Sequence, residues 1–309
     1  MQLVQADPEA SRERSRATHE AWGGQLPVDT YVALETRLRG QPWAEEAMRV
    51  WLLCADGGEV LASCESYRMP SRIGPEPGHS YGIASVYTEP EKRRKGHAAA
   101  LLAALGARLA RTGQAMVLYS DVPLCIYQKV GFAPRPALHL AFTALPGDPG
   151  QGVDALVPET RAARVLDQIP PPPDSFAILP VPAQIDWHLE RERIFAELLG
   201  RPRPPAQGAR LGDAAILWSA DHRDRQLTVL LLHAPERAQA EALVTCARRA
   251  AHAAGLARAV LWNPPRDFPL AGAQLEDRLE RLDSVPMIRP LDPRLRAEDW
   301  NWIPRALWM

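Results

Sequence analysis

The segment that most constrains the fold of this chain runs from residue 86 to residue 98 and has the sequence VYTEPEKRRKGHA. An apolar strand ends at a proline, a basic turn follows, and Gly96 directly precedes a helix rich in alanine and leucine. In such a unit, successive backbone N–H groups point at one spot, to which the helix N-terminus adds partial positive charge. The segment therefore predicts a concave site suited to a pyrophosphate.

The exact pattern of this segment limits which nucleotide site it can be. Neither G-x-x-x-x-G-K-[ST] nor G-x-G-x-x-G is present, which excludes a triphosphate loop and a dinucleotide fingerprint. Gly96 allows close approach of the backbone, and the small Ala98 keeps the first helical turn open. The same residues also suit a solvated basic turn before an ordinary helix, and spacing alone does not decide between the two.

The first half of the chain alternates short helices and strands. Asp56-Gly57-Gly58 predicts a hairpin turn, and four leucines on one face predict the helix after Gly96. The predicted elements are a helix over 28–39, strands over 49–54 and 59–67, a Pro/Gly-rich loop around 70–78, a strand over 81–88, a helix over 98–109, a strand over 115–120, a short helix to 130 and a last strand near 139–145. This order predicts an α+β fold with a mixed sheet flanked by helices.

The second half repeats the order hairpin, helix, strand over residues 214–262, which predicts a second α/β unit without residue-level repetition. A run of four prolines at 170–173 indicates a semi-rigid spacer between the units. We therefore predict a first domain over 1–150, a Pro-rich linker over 151–174 and a second domain over 175–309.

Composition excludes several classes of protein. Lys plus Arg number 36 against 37 for Asp plus Glu, and this balance argues against nucleic acid as a partner. No apolar run approaches the roughly 18 residues of a membrane span, and the polar N-terminus lacks the apolar core of a signal peptide. Four scattered cysteines indicate a reduced, cytoplasmic protein, and the isolated histidines indicate no metal site.

Two motifs together resemble the GCN5-related N-acetyltransferase (GNAT) superfamily. Arg93, Gly96 and Ala98 match its R-x-x-G-x-A loop, and residues 127–132 match its Y-x-x-x-G-F element at the expected distance. The resemblance covers roughly residues 1–145 and implies acetyl-CoA as cosubstrate. It implies that strand backbone at Val86, Tyr87 and Thr88 contacts the pantetheine arm. It also implies that the pyrophosphate is held by Arg93, Arg94, Lys95, Gly96, His97, Ala98 and Ala99.

A narrower resemblance connects the chain to the fungal lysine N6-acetyltransferases. It rests on residues 61–65 (LASCE), 118–121 (LYSD) and 283–287 (DSVPM), with a second domain opened by Trp187-His188. In that second half, the position of the phosphate loop contains Pro235 and no glycine, and proline removes an N–H donor. We therefore predict a degenerate GNAT-like C-terminal domain that shapes the substrate cleft without holding CoA.

The reaction that the superfamily implies needs a proton acceptor and a proton donor. An amine attacks a thioester only when unprotonated, and for a lysine side chain deprotonation at pH 7 costs roughly 4–5 kcal/mol. The resemblance places the donor to the leaving thiolate at Tyr127. Glu65, on a strand beside the one that the resemblance expects to be splayed, is the candidate base, with an ion pair to an arginine or binding of the substrate ammonium as alternatives. Asp121 is a second acceptor candidate, with turn capping as its alternative.

The sequence therefore predicts an acetyl-CoA-dependent N-acetyltransferase acting on a small-molecule primary amine, with the side-chain amine of free lysine as the specific hypothesis. Two alternatives stay open, a protein lysine or N-terminal acetyltransferase and a non-enzymatic CoA-sensing module. No nucleic-acid or membrane partner is expected, and the sequence leaves monomer and homodimer open.

Overall fold

A computed structural model of the chain describes residues 1–156, 165–166, 169–171, 176–264 and 277–309. Within these residues there are seven α-helices, and none is long and apolar enough to cross a membrane. The helices are α1 (Pro8–Trp22), α2 (Val28–Arg39), α3 (Pro42–Ala47), α4 (His97–Leu109), α5 (Cys125–Gln128), α6 (Pro182–Leu199) and α7 (Arg237–Ala253). Three short 3₁₀ helices cover Pro90–Lys92, Ala297–Asp299 and Arg305–Leu307.

The strands of the described residues form two mixed sheets. They are β1 (Gln2–Gln5), β2 (Met48–Cys54), β3 (Val60–Ile73), β4 (Glu76–Tyr87), β5 (Ala115–Ser120), β6 (Ala133–Pro134), β7 (Leu138–Thr143), β8 (Asp154–Ala155), β9 (Ala177–Ile178), β10 (Gly208–Leu211), β11 (Ala214–Asp221), β12 (Gln226–His233), β13 (Arg258–Trp262), β14 (Asp277–Glu280) and β15 (Val285–Pro290). The first sheet has the order β1-β2-β3-β4-β5-β15-β6, with β9 paired to β3. The second has the order β14-β7-β13-β12-β11-β10-β8. The predicted α+β class with helix-flanked mixed sheets is confirmed.

Helices cover the sheets with apolar faces. Leu101, Leu102, Leu105 and Leu109 of α4 are buried against one face of the first sheet, as their spacing predicts. Helix α6 contributes Trp187 and Ile194 to the core on the other face, and Ile185 to a core of the second sheet. This shared helix therefore joins the two sheets through apolar burial.

The two sheets exchange strands, which the sequence did not predict. The strand expected near 139–145 to complete the first unit is β7, and it pairs with β13 and β14 in the second sheet. Its place beside β5 is taken by β15, from the far end of the chain. The division at 1–150, 151–174 and 175–309 stays a prediction, and the sheets cross it.

Two further expectations about the first half were wrong. The Pro/Gly-rich stretch around 70–78 is a long hairpin, because β3 and β4 stay paired out to Ile73 and Glu76 around a left-handed Gly74. Prolines within the strands and a glycine at the turn give this stretch the composition of a loop, although it forms a hairpin. Helices α1 and α3 were also missed, and the buried side chains of α1 are the polar Ser11, Arg14, Ser15 and Thr18.

Candidate active site

The first sheet opens between β4 and β5. These parallel strands pair only where Tyr81 and Gly82 face Met116 and Val117, and they diverge beyond that point. On its other edge β4 stays paired with β3 as far as Tyr87. The edge of residues 83–87 that faces the opening therefore has no strand partner within the described chain. Its backbone polar groups are available to an extended ligand such as a pantetheine arm.

Ser85 gives β4 an irregular backbone at this opening. Its φ is +50°, which is uncommon for a residue other than glycine, and the β3–β4 register shifts beside it between Ser63 and Glu65. Arg14 of α1 donates from Nη2 to the Ser85 carbonyl at 2.6 Å. The strained conformation is thus held by a buried guanidinium, and such strain is concentrated at functional sites.

The loop from Thr88 to Gly96 turns the chain from β4 into α4. The Arg93 Nε donates to the Thr88 carbonyl at 2.9 Å, and Arg94 and Gly96 both have left-handed backbones, with φ of +63° and +82°. Lys92 forms ion pairs with Glu59 and Glu89, at 3.0 and 2.9 Å. The basic turn is therefore an ordered loop, with Lys92 engaged by carboxylates of the protein itself.

This loop fits a diphosphate. Within the described chain, the backbone N–H groups of residues 94–99 have no backbone acceptor, and those of His97, Ala98 and Ala99 form the first turn of α4. A Cβ added to Gly96 would meet no atom within 4 Å, so that space beside the loop is open. The Thr88 Oγ1 is buried and has no hydrogen-bond partner among the described residues. Free backbone donors and open space thus coincide at Gly96, within the segment predicted to hold acetyl-CoA.

A cleft of about 290 Å³ lies beyond the opened strands and is lined from both halves of the chain. We call it the acceptor cleft. Its polar and aromatic lining includes Glu35, Arg39, Glu65, Asp121, Tyr127 and Arg191. The structure therefore brings the three predicted catalytic residues to one cavity.

Tyr127 lies on α5 at the wall of the acceptor cleft, with 9% of its surface exposed. Its ring packs edge-on against Phe132, with 6.1 Å between centroids. Burial, followed by the charge of Asp121, raises the pKa of its hydroxyl to about 12. Tyr127 is therefore protonated at neutral pH and able to donate a proton.

Glu65 is buried in a network that occupies both of its oxygens. Oε1 accepts from Arg14 at 2.7 Å and from Arg39 at 3.1 Å, and Oε2 accepts from the hydroxyls of Tyr67 and Ser85. Burial opposes the charge of this carboxylate, but the two guanidiniums outweigh it and lower its pKa. This geometry favours the alternative of an arginine ion pair over a proton-accepting role.

Glu35 on α2 is a carboxylate that the sequence reasoning missed. It lines the acceptor cleft, and its Oε2 lies 3.3 Å from Nη2 of Arg39, which also contacts Glu65. Burial, and then the negative charge of Glu65, raises the pKa of Glu35. Two neighbouring carboxylates with pKa values pushed in opposite directions are typical of an acid–base site. The i, i+4 spacing of Glu35 and Arg39 was the only sequence signal.

Asp121 follows β5 and fixes the loop that precedes β15. Its Oδ1 accepts from the backbone N–H of Ser284 at 2.8 Å and from the Ser284 hydroxyl at 3.0 Å. This contact is the turn-capping role that the sequence left open. Its charge also contributes to the raised pKa of Tyr127.

The corresponding opening of the second sheet lacks a phosphate loop. Only Ala234, Pro235 and Glu236 separate β12 from α7. Glu236 and Gln239 form a capping box that already satisfies N–H groups at the start of α7 and adds negative charge there. The 3₁₀ helix Arg305–Leu307 packs against β12, with Ala306 in a core with Leu230 and Leu231. These contacts disfavour a second diphosphate site.

Sequence comparisons assign both halves of the chain to one type of domain. A family model described as "Acetyltransferase (GNAT) domain" matches residues 18–135, and one described as "LYC1 GNAT-like C-terminal domain" matches residues 163–305. The two ranges together cover more than four fifths of the 309 residues. A comparison with curated proteins finds no match.

Solved structures share the fold at low sequence identity. A probable N-acyltransferase from Enterococcus faecalis has a TM-score of 0.64 at 10% identity, covering 94% of this chain and 72% of its own. Eis1 from Mycobacterium abscessus has a TM-score of 0.59 at 16% identity, with coverages of 94% and 74%. A GCN5-related N-acetyltransferase from Kribbella flavida has a TM-score of 0.56 at 17% identity, with coverages of 94% and 72%. At these identities the likeness shows the two-sheet fold alone.

Proposed function

The chain belongs to the GCN5-related N-acetyltransferase superfamily of acetyl-CoA-dependent acyltransferases, and on this premise we propose that it acetylates a primary amine of a small molecule. One observation carries the proposal. Tyr127 and Glu35 line the same cavity, which is also lined by Ser85 and Val86 of the opened strand. A proton donor and a proton acceptor thus share the space beside the strand proposed to hold the thioester.

We assign acetyl-CoA to the opening between β4 and β5. Backbone groups of Val86, Tyr87 and Thr88 hold the pantetheine arm in this proposal. Residues 93–99 hold the pyrophosphate, mainly through backbone N–H groups, and they are Arg93, Arg94, Lys95, Gly96, His97, Ala98 and Ala99. The support is the run of donors without backbone acceptors over residues 94–99 and the positive end of α4. The N–H of Arg93 already donates to the Pro90 carbonyl at 3.2 Å.

The proposed chemistry is direct transfer of the acetyl group from the thioester to the amine. Two side chains assist it, one accepting a proton and the other donating one. Glu35 accepts a proton from the acceptor ammonium, directly or through a water, and its raised pKa makes it a stronger base than an ordinary glutamate. The amine nitrogen then forms a bond to the acetyl carbonyl carbon while the carbon–sulfur bond breaks. Tyr127 supplies the proton that the departing thiolate sulfur takes up. The second proton that the nitrogen must lose to become an amide returns to the Tyr127 phenolate, directly or through a water, and Glu35 releases its proton to solvent. Protons and electron pairs then balance without a covalent enzyme intermediate.

Glu65 and Asp121 are positioning residues that hold other groups of the site in place. Glu65 holds Arg14 and Arg39, so that it fixes the Ser85 backbone and keeps a positive charge beside Glu35. Its assignment as the base is revised because both of its oxygens already accept hydrogen bonds. Asp121 fixes the 281–284 turn through Ser284, and its charge adds to the effect of burial in raising the pKa of Tyr127.

The acceptor that we propose is an amino acid with a side-chain amine, with free lysine as the first candidate. The match to a LYC1-type C-terminal domain supports it, and so does Arg191, a cation for a substrate carboxylate in the wall of the cleft. A cytoplasmic location stays a prediction from the cysteines.

A screen of free amines with acetyl-CoA tests this function, with thiol release and product mass measured. The panel comprises lysine, ornithine, diamines, aminoglycosides and a lysine-containing peptide. We expect acetylated lysine or a close analogue and little reaction of the peptide. Acetylation of the peptide alone would indicate a protein acetyltransferase instead. Binding of acetyl-CoA without transfer to any acceptor would favour the CoA-sensing alternative.

A further inference from the structure

A second cavity of about 300 Å³ adjoins the acceptor cleft on the side of the second sheet. Three of the five arginines and both tryptophans in its wall come from α6, β13, the turn before β15 and residues 305–308. We call this group the arginine chamber, and it consists of Arg191, Trp262, Arg281, Arg305 and Trp308. The mechanism proposed above uses none of its guanidiniums for proton transfer.

The chamber side chains form an alternating stack. The Arg281 guanidinium lies 3.7 Å from the ring centroid of Trp262, and Arg305 lies 4.4 Å from the same ring. The guanidinium of Arg305 also lies 3.7 Å from the ring centroid of Trp308. The guanidinium of Arg191, on α6, lies 5.3 Å from that same centroid. Because indoles cover the flat faces of the guanidiniums, hydrogen bonds can form only at their edges, where the N–H groups lie.

Those edges carry unused donors. Arg281 and Arg305 are only 5% and 7% exposed. The Nε and Nη1 atoms of each have no hydrogen-bond partner among the described residues. Burial lowers the pKa of Arg281 to about 10 and that of Arg305 to about 9, so both stay protonated at pH 7. Buried charged donors without acceptors are costly, and a bound anion would remove that cost.

The position of Arg305 is set before any ligand arrives. The Ala306 carbonyl accepts from Gln184 Nε2 at 2.8 Å and from His188 Nε2 at 2.9 Å, both on α6. Burial lowers the pKa of His188 to about 3, so the ring is neutral and its Nε2 hydrogen donates to that carbonyl. A preorganised cation binds an anion without an ordering cost.

Acidic side chains also line this cavity, and most of them are already engaged. Asp121 accepts from Ser284, and Asp221 accepts from the N–H groups of Arg223 and Asp224. Glu192 pairs with Arg203. Asp224 and Asp283 are exposed at the rim. The acids therefore leave the inner N–H groups of Arg281 and Arg305 free for a ligand, and the rim suits an ammonium group.

The chamber and the acceptor cleft share part of their walls. Asp121, Arg191, Phe195, Arg223 and Trp308 line both cavities. A ligand held at one end by the chamber can therefore extend toward Tyr127 and Glu35. This continuity favours a group of the acceptor itself over an unrelated anion.

We propose that the arginine chamber binds a carboxylate of the acetyl acceptor, with Arg281 and Arg305 as its hydrogen-bond donors and Arg191 at the junction with the acceptor cleft. The inference rests on the proposed function and deepens it, because it names the residues that hold the carboxylate at the end of the acceptor far from the reacting amine.

Calorimetry on the full chain with saturating CoA tests the chamber without any acetyl transfer. The probes are pairs that differ only by a carboxylate, lysine with cadaverine and ornithine with putrescine. We expect the carboxylate member of at least one pair to bind about 10- to 100-fold more tightly. Arg281→Met and Arg305→Met keep an unbranched apolar stem but remove the guanidinium, and they should reduce that preference at least about tenfold.

Arg108→Met is the matched control, because Arg108 also stacks on an indole, Trp51 at 5.0 Å, but lies on α4 outside both cavities. It should keep the preference unchanged. Equal binding of both members of every pair, or a preference that survives both chamber variants, would overturn the proposal. Arginine-dependent binding of inorganic phosphate that does not compete with lysine would overturn it in favour of an independent anion site.

The outcome is separable from the proposed function. If carboxylate binding depends on Arg281 and Arg305 but no acceptor is acetylated, the proposed transfer is contradicted and the chamber is not. If transfer proceeds equally well on lysine and cadaverine, the function stands and the chamber proposal fails.

Discussion

Arg14 Nη2 lies 2.6 Å from the carbonyl oxygen of Ser85, so a helix near the start of the chain holds the irregular strand at the centre of the site. The same guanidinium donates to Glu65 at 2.7 Å and to the Ser63 hydroxyl at 3.0 Å. Through these contacts α1 and β3 fix the backbone that we propose to hold the thioester. The local geometry of β4 therefore depends on a buried ion pair.

The first prediction concerns that ion pair. Glu65→Gln keeps the shape of the side chain but leaves Arg14 and Arg39 without their carboxylate, which should cost about 3–5 kcal/mol of unfolding free energy in urea. Asp29→Asn is the control, because the Arg16–Asp29 pair has the same 2.7 Å distance but is exposed. It should cost less than about 1 kcal/mol. Equal losses would contradict the structural role of Glu65.

The same variant has a defined pH signature. The pKa of Glu65 is lower in the folded protein than in the unfolded chain, where a glutamate titrates near 4.3. The unfolded state therefore binds this proton first, so the stabilisation is present above about pH 4.3 and is lost as the pH falls through the folded pKa. Unfolding free energies from pH 7 to pH 3 should fall less steeply in Glu65→Gln than in the wild type.

Short-range patterns of the sequence predicted the turn at Gly96 and α4. A glycine directly before a helix with periodic leucines is a local signal for a turn, and Gly96 occupies that position. Tyr127 was found through a motif of six consecutive residues, 127–132. Helix α1 was not predicted because its buried face is polar, with Arg14 facing a carboxylate. The sequence of α1 therefore has no apolar periodicity. The exchange of β7 and β15 between the sheets was not predicted either. Pairing between strands far apart in the sequence depends on tertiary packing, and local sequence patterns carry no information about it.

The second prediction concerns Glu35 as the proton acceptor. Because its pKa is raised, activity of the wild type should increase with pH as Glu35 loses its proton, through a range above the usual value near 4.3. Glu35→Gln should lower kcat about 10²–10⁴-fold and remove that limb from the profile of kcat/KM against pH. A profile that keeps the same limb in the variant would exclude Glu35 as the base.

The third prediction concerns the phosphate loop. Gly96→Asp places a side chain and a negative charge into the open space beside the N–H groups of α4, so acetyl-CoA binding should be lost in calorimetry. Gly152→Asp is a matched control, since Gly152 has a φ of +81° and a similarly open Cβ position outside the loop. It should bind acetyl-CoA normally. Near-normal affinity in Gly96→Asp would refute the assignment of the loop.

The fourth prediction concerns stoichiometry. We expect one CoA per chain, because Pro235 lacks an N–H and the Glu236 carboxylate caps α7 where the first unit presents free donors. Titration by calorimetry measures this directly. Two equivalents of comparable affinity would mean that the second sheet also holds CoA.

The fifth prediction concerns Tyr127 as the proton donor to the leaving thiolate. Tyr127→Phe keeps the ring and its edge contact with Phe132 but removes the hydroxyl proposed to protonate the leaving thiolate. Tyr81→Phe is the control, because its hydroxyl lies 3.1 Å from that of Thr112, outside the acceptor cleft. The control should keep kcat close to that of the wild type.

The decisive measurement is kcat of Tyr127→Phe with saturating acetyl-CoA and the best acceptor of the amine panel, together with the Kd of acetyl-CoA. We expect kcat to fall about 10²–10⁴-fold while the Kd of acetyl-CoA changes less than about twofold. An unchanged kcat would contradict proton donation by Tyr127 and with it the proposed arrangement of the site.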